Sequence, residues 1–373
     1  MEKQLISIDW LEIHGHILDE ELRDGIETKT RNGFTIVKEE SGTQLFEFRY
    51  KVMYGTTKIA TLTTHPRASY INKRCAIVKL ENRVLYCTEW YDWAVDVLKA
   101  CDIIYKNITR IDLCCDLRRF KDGRRPHAFI KKYVTSVYGE DGYLHRRGSN
   151  EFQVHGSKDR GGLAKMNYIA FGSHKAAVRA YIYNKSKELR EVKDKPWIRQ
   201  FWQENGLDDG GKTDIWRCEI SIKAKGTELM NFETGELFKL KPDYVTTQKR
   251  LEQIFMTYAE KYLSFSEQHG QKRAKDFTPI TLFEAQKEIP VRQKMISRKL
   301  DTGRTEKMMA NKMKEWQETY RDLSLQELDA FSTAIAWLNY MATAKTEDYK
   351  HGVAEEIAAG RLRHMKSYRN ICA

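Results

Sequence analysis

Residues 179–188 read R-A-Y-I-Y-N-K-S-K-E, two phenols two positions apart with a cation on either side. Alternation at the strand period puts Arg179, Tyr181, Tyr183 and Lys185 on one face and Val178, Ala180 and Ile182 on the other. Two more segments divide the same way. In I-T-R-I-D-L-C-C-D-L (108–117), Arg110, Asp112, Cys114 and Asp116 share a face; in W-R-C-E-I-S-I-K (216–223), Arg217, Glu219, Ser221 and Lys223 do. Any one of these strands, taken alone, is an ordinary half-buried strand with a solvated outer face. Together they assemble acids that can bind a divalent ion, a phenol that can attack, and cations that can hold phosphate oxygens. Those are the parts of metal-assisted phosphodiester transesterification. Asp112 and Asp116 lie roughly 13 Å apart along a regular strand, too far to share one ion without a bulge. A partner carboxylate must come from another strand, and Glu219 supplies it.

These segments need a sheet to bring them together, and the chain is patterned for one. Strands are expected at Gly33–Lys38, Gln44–Met53, Lys58–Thr64, Ala76–Tyr86, Thr109–Asp116, Phe152–His155, Asn167–Phe171, Arg179–Asn184 and Ile215–Lys223. Helical spacing marks Glu89–Cys101 and Pro126–Val137. The order predicts an α+β fold, a central antiparallel sheet with flanking helices, rather than a strict βαβ alternation. Gly156–Gly162 and Gly206–Gly211 read as loops. After Tyr244 the texture turns helical, giving a predicted division into a catalytic domain (1–262), a polar bridge (263–278) and an all-helical C-terminal domain (279–373). Helices are expected there at Gly303–Arg321, Ser324–Thr343 and Glu347–Arg369; Ser324 and Glu327 form a capping box.

The ordered set R-I-D-x-x-x-D, Y-I-A-F-G-S, R-x-Y-I-Y-N-K-x-x-E and W-R-C-E resembles the trans-acting replication initiators of rolling-circle plasmids and the related nickases of conjugative elements. The resemblance spans roughly residues 100–225. It implies a strand transferase that nicks one DNA strand at the origin of a plasmid, phage or mobile element. It implies too that the 5′ phosphate is kept on a tyrosine and that a 3′ hydroxyl is released for a polymerase. Carried over by motif, Tyr183 matches the nucleophile, with Tyr181 in reserve. Asp112 and Glu219 match the ligands of a divalent metal, Mg²⁺ or Mn²⁺, with Asp116 and Glu188 as further ligands or a general base. Arg110, Arg179, Lys185 and Arg217 would hold the scissile phosphate. A host helicase and polymerase are implied partners, because the chain has no G-x-x-x-x-G-K-[ST] phosphate loop to separate strands itself.

Composition agrees with a polyanionic partner. The 373 residues carry a formal net charge of +12 and 11% aromatic residues, and stretches such as K-K-Y-V-T-S-V-Y (131–138) interleave rings with cations as base-stacking, phosphate-holding surfaces do. No stretch approaches the roughly 20 apolar residues of a membrane helix and the N-terminus lacks a signal-peptide core, so a cytoplasmic protein without membrane contact is expected. Seven scattered cysteines without a C-x-x-C pair read as reduced core residues. A homo-oligomer is compatible with the sequence. Two other functions fit parts of it. His14-Gly-His16 matches the His-x-His metal strand of another class of relaxases, although its middle residue is glycine rather than a bulky apolar residue. A DNA-binding protein without catalysis, its phenols stacking bases, is the second.

Overall fold

Period-two alternation begins at the N-terminus and recurs as far as Lys223. The structure, a computed structural model, describes residues 3–135, 143–146, 151–158, 164–231, 237–284 and 291–293. It opens with β1 (Gln4–Ile17), the helical turn α1 (Glu20–Arg23), β2 (Thr28–Arg31), β3 (Phe34–Lys38), β4 (Phe46–Tyr54), β5 (Thr57–Pro66) and β6 (Cys75–Leu80). After α2 (Asn82–Leu85) and α3 (Trp90–Ala100) comes the long β7 (Ile103–Leu117). Next are α4 (Pro126–Val134), β8 (Tyr143–Arg146), β9 (Phe152–Lys158), β10 (Ala164–Phe171) and β11 (Val178–Asn184). Two helices, α5 (Lys185–Glu191) and α6 (Pro196–Glu204), separate β11 from β12 (Trp216–Lys223). Then follow β13 (Glu228–Asn231), β14 (Leu237–Lys239), α7 (Gln248–Tyr262), β15 (Phe265–Gln268), β16 (Thr278–Ile280) and β17 (Val291–Gln293).

Eleven of these strands form one sheet in the order β2-β3-β4-β5-β6-β1-β7-β12-β11-β10-β9. Neighbours run antiparallel, including the central β1, β7, β12 and β11. The architecture is therefore α+β, as the strand-rich pattern predicts. One face of the central strands is apolar: Ile8, Leu11 and Ile13 of β1, Ile111, Leu113 and Cys115 of β7, Cys218, Ile220 and Ile222 of β12, and Ala180 and Ile182 of β11 are all buried. Helix α7, capped by the Thr247 hydroxyl on the Arg250 amide, packs into the same core through Leu251, Ile254, Phe255 and Tyr258. Burying such side chains contributes roughly 1.5–3 kcal/mol each, so this core fixes which face of each strand is left for chemistry.

On β1 the register slips by one. Ile8 stands opposite Leu113 and Trp10 opposite Asp112, which leaves Asp9 as an extra residue, a bulge. The bulge puts Asp9 and Trp10 together on the polar side. Two further shifts fall between Glu12 and Ile13 and between His14 and Gly15; at the latter the strands come so close that a Cβ on Gly15 would lie 2.6 Å from the Ile104 carbonyl oxygen. Glycine is needed at that point of the His-x-His segment for packing.

The structure differs from the sequence expectations in several places. The central β1 and the short β2, β8, β13 and β14 lie outside the expected strands, and β9 runs through Gly156 to Lys158, into the segment expected as a loop. β6 stops at Leu80 instead of running to Tyr86, because the Asn82 side chain donates to the Asp9 carbonyl (2.6 Å) and carboxylate (3.1 Å) and folds α2 across β1. Helices α5 and α6 are unanticipated, since seven and nine residues sample the helical period too briefly to show it. Residues 263–278, expected as a bridge, contain β15, which pairs with β8 and β16. Polar residues are tolerated there because each finds a partner: Glu267 binds Arg124 (2.7 Å) and Lys132 (2.6 Å), and Gln268 meets His145 (3.1 Å). β17 likewise pairs with β13 inside the expected helical region.

The chain divides into two compact units, Met1–Lys294 and Met295–Ala373. The three helices expected beyond residue 300 lie outside the described residues. Among the described residues no helix is long and apolar enough to cross a membrane. Cys101, Cys114, Cys115 and Cys218 are buried free thiols, whereas Cys87 is exposed.

Candidate active site on the polar face of the sheet

The polar face of β7, β12 and β11 carries the residues its sequence placed there. Cross-strand register sets them in rows: Tyr183, Arg217 and Asp116 in one, Tyr181, Glu219 and Cys114 in the next, Arg179, Ser221 and Asp112 in the third. Two members of the first row, Arg217 and Asp116, are closed over. Leu189 of α5, Ile198 and Trp202 of α6, and Leu207 and Ile215 pack with Leu5 of β1 into a second apolar cluster above them. Under this lid Arg217 and Asp116 are both 0% exposed.

Arg217 is bonded on every side. Its Nε and Nη2 grip the two oxygens of Asp116 at 2.6 and 2.7 Å, its Nη1 binds Asp9, and Nη2 also donates to the Tyr86 hydroxyl at 2.8 Å. Asp116 accepts further from the Trp202 indole (2.7 Å), and Asp9 from Asn82 and the Tyr86 hydroxyl (3.2 Å). A buried charge needs this complete set of partners. Burial would raise the Asp9 carboxyl, but the Arg217 guanidinium, with Lys185 and Lys195, holds it well below the usual carboxylate range. Arg217 and Asp116, expected to hold a phosphate and a metal, are thus spent on each other, out of reach of any substrate. Asp9, Asn82, Tyr86 and Trp202 complete this network and were not singled out in the sequence.

The cluster opens beside it, at Tyr183 and Glu219, which are partly exposed. The Tyr183 hydroxyl donates to Glu219 Oε2 at 2.8 Å, and Lys185 Nζ lies 3.5 Å from the same phenol oxygen. Lys185 is the first residue of α5 rather than part of β11; the Asn184 side chain caps that helix on the Lys187 amide at 2.8 Å. It is also buried and salt-bridged to Glu188 at 2.8 Å. Tyr181 turns the same way, but its ring lies under Arg179 (guanidinium carbon 5.1 Å from the centroid), and its hydroxyl makes no hydrogen bond among the described residues. Arg179 itself is anchored to the Gly172 carbonyl (3.2 Å) and His174 (3.0 Å). Tyr168 of β10, directly opposite Tyr183, adds a third ring, 6.1 Å from Tyr181 and 6.4 Å from Tyr183. Asp112 is gripped by Arg110 through both oxygens at 2.9 and 2.6 Å.

Burial pushes the Tyr183 phenol well above its ordinary range, and the Glu219 charge adds to the rise. The phenol is therefore held protonated and needs a base to attack. Burial, with the charges of Asp112 and Asp9, pushes the Glu219 carboxyl up to about 8. Burial also raises Asp112, against the opposing pull of Arg110. Asp112 and Glu219 are thus two carboxyls in a partly dry site, each easing if positive charge arrives between them. Such hard oxygen donors suit Mg²⁺ or Mn²⁺, and Mg²⁺ is commonly held by one or two carboxylates with substrate phosphate and water completing the shell. Among the described residues no group of three or more His, Cys, Asp or Glu side chains has metal-site geometry, so substrate oxygens would have to complete it. His14 and His16 stand at the other end of β1, rings 5.9 Å apart, His14 bonded to Asn107 at 2.9 Å. Asn107 and Asp116 are nine positions apart on β7, or roughly 30 Å at the strand rise, so the histidines do not join the tyrosine site.

The Glu219 shift sets a direction for stability. A carboxyl whose folded value lies above its unfolded value of 4.5 favours folding fully below that pH and loses the contribution as pH rises toward about 8. Glu219→Gln removes that loss, so urea midpoints of the variant and the natural protein are expected to diverge in the variant's favour between pH 5 and 8. Parallel pH profiles would show that Glu219 ionises as freely as in water.

No family model matches the chain, and no curated protein matches it. Among solved structures it is similar to the rolling circle replication initiator protein from Geobacillus stearothermophilus, at 13% identity and a TM-score of 0.43, over 74% of this chain and 93% of that one.

Proposed function

We propose that the chain is a metal-dependent DNA nickase and strand transferase of the rolling-circle initiator type, with Tyr183 as nucleophile. The observation that carries this reading is the Tyr183 hydroxyl donating to Glu219 at 2.8 Å with Lys185 3.5 Å from its oxygen. A phenol is activated by a base that takes its proton and a cation that steadies the oxygen. In the proposed step the Tyr183 proton passes to Glu219 as the phenol oxygen bonds to phosphorus. The bond from phosphorus to the 3′ oxygen breaks, and that oxygen receives, through water, the proton that Glu219 took, so no proton is gained or lost overall. The 5′ phosphate stays esterified to Tyr183, so rejoining needs no ATP. A divalent ion drawn to Asp112 and to Oε1 of Glu219, the oxygen not bonded to Tyr183, would keep Glu219 ionised and able to take that proton, and would neutralise charge on the phosphoryl oxygens. Arg179, stacked on Tyr181, and Arg110, paired with Asp112, would be the cations that bind flanking phosphate.

The test is covalent capture. The protein is incubated with Mg²⁺ or Mn²⁺ and supercoiled DNA carrying the flanks of its own gene, then run on a denaturing gel. The expected product is protein shifted by attached DNA and sensitive to nuclease. Salt-sensitive binding without any adduct would instead favour a DNA-binding protein whose Tyr168, Tyr181 and Tyr183 rings form a stacking platform.

A further inference from the structure

Where the three central strands end, one residue beyond the tyrosine row, the molecule has a second basic feature that the site does not use. Asn184, Trp216 and Leu117 form the next cross-strand row after Tyr183, Arg217 and Asp116. Around that row lies a basin of about 480 Å³ lined by Arg118, Arg119, Arg125, Lys165 and Lys212 with one carboxylate, Asp214. Asp214 is already bonded to Asn184 (2.8 Å) and Arg190 (2.9 Å), and Arg118 to Asp209 (3.4 Å). Among the described residues, no hydrogen bond or ion pair engages the side chains of Arg125, Lys165 or Lys212, all three of them exposed. His127, also exposed, lies over Trp216 at 6.4 Å between ring centroids. Burial and the charges of Arg125 and Lys165 push its imidazole down from the ordinary value.

Cations gathered at such a density repel one another. Unpaired and converging on a concave surface, they are a binding site for anions in a row rather than a set of structural pairs. An exposed ring in the same basin adds a face on which an unpaired base can stack.

We propose that this basin binds the phosphate backbone of a single DNA strand adjoining the scissile phosphate, with Arg125, Lys165 and Lys212 holding the phosphates and His127 as the base platform. The proposal rests on the reading of the chain as a DNA strand transferase. It places the tract leading to or from Tyr183 around the end of the sheet, since Trp216 and Asn184 belong to the face opposite Tyr183.

The experiment uses the full chain and a fluorescein-labelled oligothymidylate of 30 nucleotides, read by anisotropy across a salt series. Replacing Arg125, Lys165 and Lys212 together with alanine is expected to weaken binding at least tenfold and to lower the slope of log K against log salt by about 2, at roughly 0.7 for each phosphate that is no longer neutralised. A control with Lys239, Lys241 and Lys249 replaced removes the same charge from another segment and keeps the natural slope. Melting temperature stays unchanged, because none of the three basin cations holds a hydrogen bond or ion pair among the described residues. Equal slopes for the two triple variants overturn the proposal, and so does an equal loss of affinity on a blunt duplex of the same length. Covalent capture is read separately. An adduct with an unchanged slope discards the basin and keeps the nickase, whereas a reduced slope with no adduct keeps the basin and discards the nickase.

Discussion

Tyr183→Phe protein incubated with metal and its own flanking DNA forms no covalent adduct, while Tyr181→Phe protein still does. The two phenols sit two residues apart on one face of β11, so composition and orientation do not separate them; their hydrogen bonds do. The Tyr183 hydroxyl has a base at 2.8 Å and an ammonium at 3.5 Å. Tyr181 has a guanidinium over its ring, whose charge favours the phenolate, but among the described residues no base is hydrogen-bonded to its hydroxyl to take the proton. Phenylalanine keeps the ring of Tyr183 and deletes only the oxygen that would bond to phosphorus. Loss of the adduct with retained oligonucleotide binding therefore assigns the nucleophile. Glu219→Gln keeps the shape and a hydrogen-bond acceptor for the phenol but cannot take its proton. It is expected to slow adduct formation by about 10²–10⁴, the usual contribution of a positioned base. If Tyr181→Phe were the variant that lost the adduct, the assignment of base and nucleophile would fail together.

The faces of the three central strands were legible because burial on one side imposes alternation, and the alternation was unbroken from Arg110 to Asp116, Val178 to Asn184 and Trp216 to Lys223. What each polar residue does along a face was not. Arg217 and Glu219 are two positions apart in W-R-C-E and share a face, yet one is sealed beneath α5 and α6 and the other meets solvent. That difference depends on where those helices land, and they are too short for their period to register. Asp9 had a signal that went unused. Along β1 the apolar residues fall at Ile6 and Ile8, then at Leu11 and Ile13, a spacing that shifts parity between Ile8 and Leu11. A parity shift inside a strand marks a bulge, and bulges often stand next to active sites because they re-aim a side chain. Residues 263–278 misled for the opposite reason: their polarity suggested a solvated bridge, but Arg124, Lys132 and His145 from distant parts of the chain satisfy it.

Arg217→Ala is expected to be the most destabilising single substitution on the polar face, by roughly 3–5 kcal/mol, the cost of stripping a buried charge of its partner. The mechanism lies in what is left behind. Among the described residues Asp116 would keep the Trp202 indole alone, and Asp9 Asn82 and Tyr86 alone, as hydrogen-bond donors, with both carboxylates still roofed by the Leu5, Ile198 and Trp202 cluster. A loss of that size is a large share of the stability of an ordinary domain, so the urea midpoint should fall sharply with little change in slope. Arg217→Lys keeps the charge but not the fork that spans Asp116, Asp9 and Tyr86 at once, and should recover part of the loss. The informative variant is Arg217→Met combined with Asp116→Leu. If the arginine matters for packing, the double variant is as weak as the single one. If the penalty is an uncompensated buried carboxylate, removing Asp116 as well restores most of the midpoint, although Asp9 still lacks its guanidinium. Recovery of the fold without recovery of the covalent adduct would then mean that the network positions Tyr183, which faces Arg217 across β11 and β12, as well as holding the strands together.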